Sequence, residues 1–503
     1  MANYALEIIQ PLAGLTTANR FYRAYPDLAF EVRVAVVGGD YPYLYELTIA
    51  PSGMAINADT GVITWSNPVT IGSPHNVTVR VTDRGASGGG DGTGGSQVSV
   101  SWTVTVTTSQ FVFLDAINGN DTTGDGTIAN PIKTVSKLYG PNQADITYSG
   151  YFAYFKSGTY TLGFTATAEA TDPCWGGTTT LLLWGGNKPL VLLAYPGHAP
   201  TVDLSVQVLD FEGLGGTNNT YVEGITFTPI INPCRRGIQI KSNSLDVTFR
   251  KNTFRQLTHT VGSNNQAQLF IFESGIGQRY AIVENTFDDV DHGYFLLGYS
   301  TTKVLIADNT GTNLQDSGGH AAFHAFDPKQ GCQRWHVINN RMMTSIDGNA
   351  LRTLYGGIGS GGEQDPGNHE YAYNLVTSTR RSVDLNNDFL SPGGPIYIYR
   401  NTLITGQCIV NGLFSNTGPF EFKRNVVISS DADKIRCLSL CTVPSRLVEI
   451  ENLEGVAADN IVDANGNLQG TYRNQYLGLR GYELIPSVLP PLSPVKGRRS
   501  IIM

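Results

Sequence analysis

From residue 20 to 108 apolar residues fall at every second position in short runs: FEVRVAVVGG, YLYELTIA, GVITWS, HNVTVRVTD and VSVSWTVTVTT, each bounded by Gly, Pro, Asn or Asp. A period of two with turn residues at this spacing predicts a small antiparallel β-sandwich. Beyond residue 110 the alternation continues and acquires a second, longer period. Alternating apolar residues, then Asn, often followed by Thr and another apolar residue, recur in VTFRKNTF, AIVENTF, VLIADNT, WHVINNRM, YAYNLV, IYIYRNTLI, FEFKRNVVI and VEIENLE. The asparagines are Asn252, Asn285, Asn309, Asn340, Asn374, Asn401, Asn425 and Asn452, and Gly224 of YVEGITF is assigned the same place one turn earlier. The mean step of about 28 residues is one coil of a solenoid with loops. Parallel strands stack ~4.8 Å apart, so side-chain amides in such a column can hydrogen-bond from coil to coil. The column is therefore read as structural.

A solenoid needs both open ends covered. The helix-like IKTVSKLY is assigned to one end, and the stretch after Asn460, where the periodicity fades, to the other. The last residues, IPSVLPPLSPVKGRRSIIM, carry four prolines between Ile485 and Val495. They form no core of their own and read as an extended arm on a neighbouring chain or as a disordered tail. The expectation is an all-β protein in three parts: a sandwich at 1–109, a solenoid at 110–475 and a Pro-rich arm at 476–503.

Composition supports that reading. Glycine supplies 57 of 503 residues and charged residues only 15%, against about 25% in an average protein. Helical bundles, coiled coils and wholesale disorder are excluded. The net charge of −8, with scattered basic residues, argues against nucleic acid or an anionic membrane as partner. No apolar run approaches the ~20 residues of a membrane-spanning helix. The opening MANYALEIIQPLAGL lacks the features of an export leader, so synthesis in the cytoplasm without export by the usual leader is expected. The six cysteines are too few and irregular for a disulfide framework, and the C-x3-C of Cys437 and Cys441 has no second pair at zinc-like spacing. Free thiols and no metal centre are expected there.

Two stretches carry family resemblances. PSGMAINADTGVITW (Pro51 to Trp65) followed by NVTVRVTD (Asn76 to Asp83) resembles the immunoglobulin-like, cadherin-like modules of bacterial surface and phage proteins, over about the first 108 residues. Such modules are spacers, docking units or sugar binders, so the match implies fold and not chemistry. Asp83 is read as a strand-end turn rather than a cadherin-type calcium ligand, and the loop Arg84 to Gly95 as a mobile hairpin tip. FVFLDAINGNDTTGDGTIANPIKTVSKLYG, YFKSGTYTL and LVLLAYPGHAPTVDL resemble the opening coils of right-handed parallel β-helices of the pectate-lyase-like class. Asp115, Asp121 and Asp125 in the first of these either form Asx turns or hold calcium, the one cofactor left open.

Register in the asparagine column implies register at fixed offsets from it. Asp291, Asp316 and Asp347 follow Asn285, Asn309 and Asn340 by six or seven residues, placing three carboxylates on adjacent coils. Separations of ~4.8 and ~9.6 Å lie near those of retaining and inverting glycosidases, and mutual repulsion would raise one pKa for a general acid. DHG, DSGG and DGN are equally what tight turns prefer. Arg381 holds the same offset one coil on and suits an acidic sugar. Arg352, Trp335, Tyr355 and His320 are the further candidates for glycan contact, the aromatic rings by stacking. The Gly-rich insertion Leu354 to Glu370 is the expected wall of the binding site.

The combination of Ig-like module, β-helix and terminal arm resembles phage virion surface proteins, tailspikes and tail fibres above all. That resemblance implies attachment to a host surface polysaccharide, location on the virion surface among other virion proteins, and a homotrimer. A polysaccharide hydrolase or lyase of pectate-lyase-like fold, and a non-enzymatic decoration protein of capsid or tail, are the alternatives.

Overall fold

In the computed structural model the described residues are 4–13, 19–83 and 95–139 and, from 148 to 455, the strands together with most of the corners that join the first sheet of the solenoid to the second. The Gly-rich loop at 84–94, Asn452 and the C-terminal arm lie outside them. The protein is all-β. An Ig-like sandwich, with sheets of four, three and two strands, precedes a right-handed parallel β-helix. The β-helix has three parallel sheets, the first of twelve strands and the third of nine. Its first strand, Phe111–Leu114, pairs in register with Phe152–Phe155, and each later coil adds one strand to the first sheet. Helix Val135–Tyr139 sits at the N-terminal end, with Ile132, Val135 and Leu138 buried in the solenoid core.

The corner from the first to the second sheet explains the long repeat. At the six corners from Lys251 to Arg400 one residue turns the chain in the left-handed region: Lys251, Glu284, Asp308, Asn339, Tyr373 and Arg400 have φ between 53° and 59°. A bulky L-residue is disfavoured there. The asparagine that follows stabilises the turn. The Asn309 side-chain oxygen accepts from Asn285 N at 2.9 Å and from Asn285 Nδ2 at 3.0 Å, while Asn309 Nδ2 donates to Ile282 O at 2.8 Å and to Asn340 Oδ1 at 2.9 Å. The same pattern runs unbroken from Asn252 to Asn425, all fully buried.

At the start of this column the sequence expectation is off by one residue. Thr226 pairs with Thr253, so Gly224 stands level with Lys251 and Ile225 with Asn252. Ile225 N donates to Asn252 Oδ1, as each asparagine N does higher up. Gly224 is the left-handed residue (φ 75°), and a Cβ there would lie 2.8 Å from Ala194 Cβ. Glycine meets both demands and sits one place before the ladder.

The sandwich lies along the outer face of the first sheet. Phe111, Phe113, Phe152, Tyr154, Val191 and Leu193, which alternate with interior residues, join the hydrophobic core of the sandwich rather than that of the solenoid. Further along, the contact turns polar. Arg33 of the sandwich pairs with Glu284 at 3.0 Å and with Asp308, and Arg250, wholly buried, pairs with Glu31, Glu223 (3.2 Å) and Glu284 (2.8 Å). Gln10 donates to Arg279 O at 2.7 Å and accepts from Thr248 Oγ1 at 2.6 Å. Glu7 bridges Lys303 (2.5 Å) and Arg334 (3.3 Å). Tyr43 meets His336 Nε2 at 2.9 Å, His336 Nδ1 lies 2.9 Å from Glu370, and Tyr399 donates to the same carboxylate. Arg400 reaches Tyr41 O at 3.4 Å. The sandwich is thus held from the first coil to the tenth.

Burial alone would raise the Glu284 carboxyl, but Arg250 and then Arg33 outweigh it and bring it down to about 2. Asp308 is raised instead, because burial dominates and Arg33 offsets only part of it. The lowered carboxyl contributes stability present above its unfolded pKa and lost as pH falls through about 2. The raised one subtracts stability at neutral pH. Glu284→Gln is therefore expected to cost about 3 kcal/mol at pH 7, the penalty of stranding a buried arginine, and Asp308→Asn less. The Glu284→Gln deficit should shrink as pH is lowered from 5 toward 2, read as thermal midpoints of wild type and variants side by side. In the ladder, Asn309→Leu, which keeps volume and strands the Asn285 donors, should lower stability by about 3 kcal/mol or more in denaturant titration.

Candidate functional site

The three faces of the solenoid differ in what they offer. The first is occupied by the sandwich. The second presents Arg255 and Asp288, 3.4 Å apart and half-exposed, with Thr312 donating to Asp288 at 3.1 Å, an ordinary solvated face. The third is built from strands whose fully buried residues, Leu296 and Phe326, fill the interior. The positions that alternate with these run in register from strand to strand: Asp210 with Gln239, Gln239 with Ile271, Ile271 with Leu297 and Leu297 with Asp327. Phe326 pairs with Leu351, which sets Asp327 beside Arg352, and Arg352 pairs with Asp384, Asp384 with Asn411. Asp327, Arg352 and Asp384 thus occupy one register column on three successive strands. With strands ~4.8 Å apart, the two aspartates stand ~9.6 Å apart along the axis.

The residues expected from sequence fall unevenly on this frame. Asp291, Asp316 and Asp347 lie outside the described residues, as do His320, Tyr355 and Arg381. Arg352 lies in strand Gly348–Leu354, at the centre of the third-sheet column. Trp335 is a correction. It is wholly buried inside the solenoid, its Nε1 donates to Thr301 Oγ1 at 3.0 Å, and its backbone N donates to His369 Nδ1 at 3.2 Å. The ring fills the space opposite Gly298, where a Cβ would come within 2.3 Å of it. No sugar can stack on it. His369, equally buried, has its pKa pushed down to about 3 by burial and is a neutral core residue. Asp384 was not singled out from the sequence; the signal that finds it is the period-two pattern of VDLN aligned on ALRTL.

The acidic loop at 115–134 resolves into turns. Asp115 Oδ1 accepts from the N of Ile117 (3.1 Å) and Asn118 (2.9 Å), and Asp125 Oδ1 from Thr127 N (2.9 Å). Asp121 accepts from Lys133 N, Thr134 N and the Thr134 hydroxyl. The Asp115 and Asp125 carboxyls are accordingly lowered: at Asp115 the bonds from Asn118 and Ile117, with Lys156, outweigh burial, and at Asp125 those from Thr127 dominate. Asp115 and Asp125 serve their own turns, and Asp121 ties the loop to the segment at Lys133 and Thr134. Among the described residues no group of three or more His, Cys, Asp or Glu is placed to hold a metal ion. Cys332 is buried, is not in a disulfide, and its Sγ lies 3.4 Å from Thr301 Oγ1.

Comparison with known proteins bears on the two parts separately. Residues 13–109 match the family described as "Putative Ig domain". No curated protein matches the chain in sequence. Among solved structures, a rhamnogalacturonan lyase is similar at 15% identity and a TM-score of 0.37, over 75% of this chain and 99% of that one. The Family 28 exopolygalacturonase of Yersinia enterocolitica is similar at 11% and 0.32, over 91% and 99%. PfbA, a surface adhesin of Streptococcus pneumoniae, is similar at 11% and 0.33, over 61% and 83%. The β-helix assignment stands on the strand pairing itself.

Trp335→Ala should cost about 3–5 kcal/mol, as loss of a large buried ring does. Under conditions where the variant stays folded, any affinity for polysaccharide should equal that of wild type, measured by isothermal titration or affinity electrophoresis.

Proposed function

We propose that this protein acts on an extended polysaccharide along the third sheet of its β-helix, as a glycoside hydrolase or lyase. The observation that supports the reading is the register of Asp327, Arg352 and Asp384 on three successive strands. One aspartate would serve as general acid and the other as general base. Arg352 would bind an acidic group of the substrate or offset charge formed at the reacting carbon. Alternating charge also stabilises a sheet by pairing across strands, and the two roles separate by experiment. Attachment to a host glycan without cleavage, as a virion surface protein, is the second reading. It is favoured by the clamp between sandwich and solenoid, which makes one stiff body of the two. In such a particle a homotrimer would have to pack through a face other than the first sheet.

The test is product release from surface polysaccharides, following reducing ends for hydrolysis and ultraviolet absorbance of unsaturated sugars for lysis. Asp384→Asn and Asp327→Asn are each expected to lower the rate by about 10²-fold or more with thermal midpoints near that of wild type. Binding without release by the unaltered protein would establish the attachment reading. Loss of stability in both variants with unchanged release would return the column to a structural role.

A further inference from the structure

The junction of sandwich and solenoid contains a buried cation that no carboxylate pairs with among the described residues. Arg20, in the short 3-10 turn Arg20–Tyr22, is 4% exposed. Nη2 donates to Ala29 O at 3.3 Å, while Nε and Nη1 meet no acceptor among the described residues. The guanidinium carbon lies 4.7 Å from the ring centre of Phe30, in the sandwich, and 5.7 Å from that of Tyr154, in the second strand of the first sheet. The Tyr154 hydroxyl is buried and donates to no acceptor among the described residues. Burial raises the Tyr154 phenol, and the adjacent Arg20 opposes that rise only in part. The carboxylate that also acts on Tyr154, Glu223, is spent elsewhere: its Oε2 accepts from Tyr221 OH at 2.7 Å and from Arg250 Nη1 at 3.2 Å. Among the described residues no acid pairs with Arg20.

Every other buried arginine of this interface described above is charge-paired or donates within its contact, Arg33 and Arg250 to carboxylates and Arg400 to Tyr41 O and the Tyr373 hydroxyl. Leaving an ionised guanidinium dry and uncompensated costs several kcal/mol. The two aromatic faces offset part of that cost by cation–π attraction, and exclude most of the solvent that would relieve the rest. From the guanidinium of one part and the phenol of the other, both with donors to spare, we propose that Arg20 and Tyr154 bind a small monovalent anion of the halide class at the junction. The anion accepts from Arg20 and from the Tyr154 hydroxyl, and so joins sandwich to solenoid. It goes beyond the polysaccharide reading and is independent of it, because the site is closed and lies on the opposite function of the fold: docking, not substrate handling.

The test uses the full chain. Thermal midpoints are measured at constant ionic strength while gluconate is replaced by chloride or bromide. A saturable rise of about 1–3 °C is expected in wild type, reduced in Tyr154→Phe and lost in Arg20→Met. An equal response of wild type and Arg20→Met to chloride would overturn the proposal, as would no response in wild type. Should Arg20→Met fail to fold, crystals of the unaltered protein grown in bromide decide. An anomalous peak within about 3.5 Å of a guanidinium nitrogen supports the site, and water alone at Arg20 refutes it.

Discussion

The fold rests on one corner made repeatedly. Turning a chain from one sheet to the next within two residues requires a left-handed residue, and outside glycine that conformation is disfavoured. The buried asparagine after it compensates by saturating both its own amide and the backbone of the neighbouring coils. Because each amide is bound to the next, the coils cannot slip against one another. Every column on the solenoid inherits its register from that constraint, including the one that faces the sandwich and the one on the third sheet.

The left-handed residues have a second use. Their side chains stand at the edge of the first sheet, and five of them meet the sandwich: Lys251 with Glu31, Glu284 and Asp308 with Arg33, Tyr373 against Tyr41, Arg400 with Tyr41 O. Buried charge pairs are costly sources of stability. What they supply here is direction, since Arg33 displaced by one coil along this column would face Lys251 or Asn339 in place of one of its two carboxylates. The apolar end near Phe111 provides area, and the charged middle fixes where the sandwich stops.

Much of this was legible in the sequence. Period-two runs gave the sandwich, and the recurring asparagine gave the coil, because both patterns answer to local geometry. The one-residue slip at Gly224 arose because the ladder position there is Ile225, which offers only its backbone N–H. Docking of the sandwich was missed although FVFL and YFAYF are apolar at consecutive positions, the mark of a strand covered on both faces. Trp335 reads as a sugar platform in sequence because nothing local distinguishes a ring that faces Gly298 across a core from one that faces solvent. Asp384 was overlooked because its significance is its neighbour on another strand, and non-local register is invisible to local pattern.

The ladder asparagines are 33, 24, 31, 34, 27 and 24 residues apart in sequence, yet their amides meet at the same 2.9 to 3.1 Å. Since one corner admits no variation, every inserted residue must be accommodated in the connections that enter and leave the third sheet. A lineage of such chains can therefore lengthen or shorten those connections coil by coil without disturbing the frame. Evolution of new recognition in this molecule is channelled to one side of it.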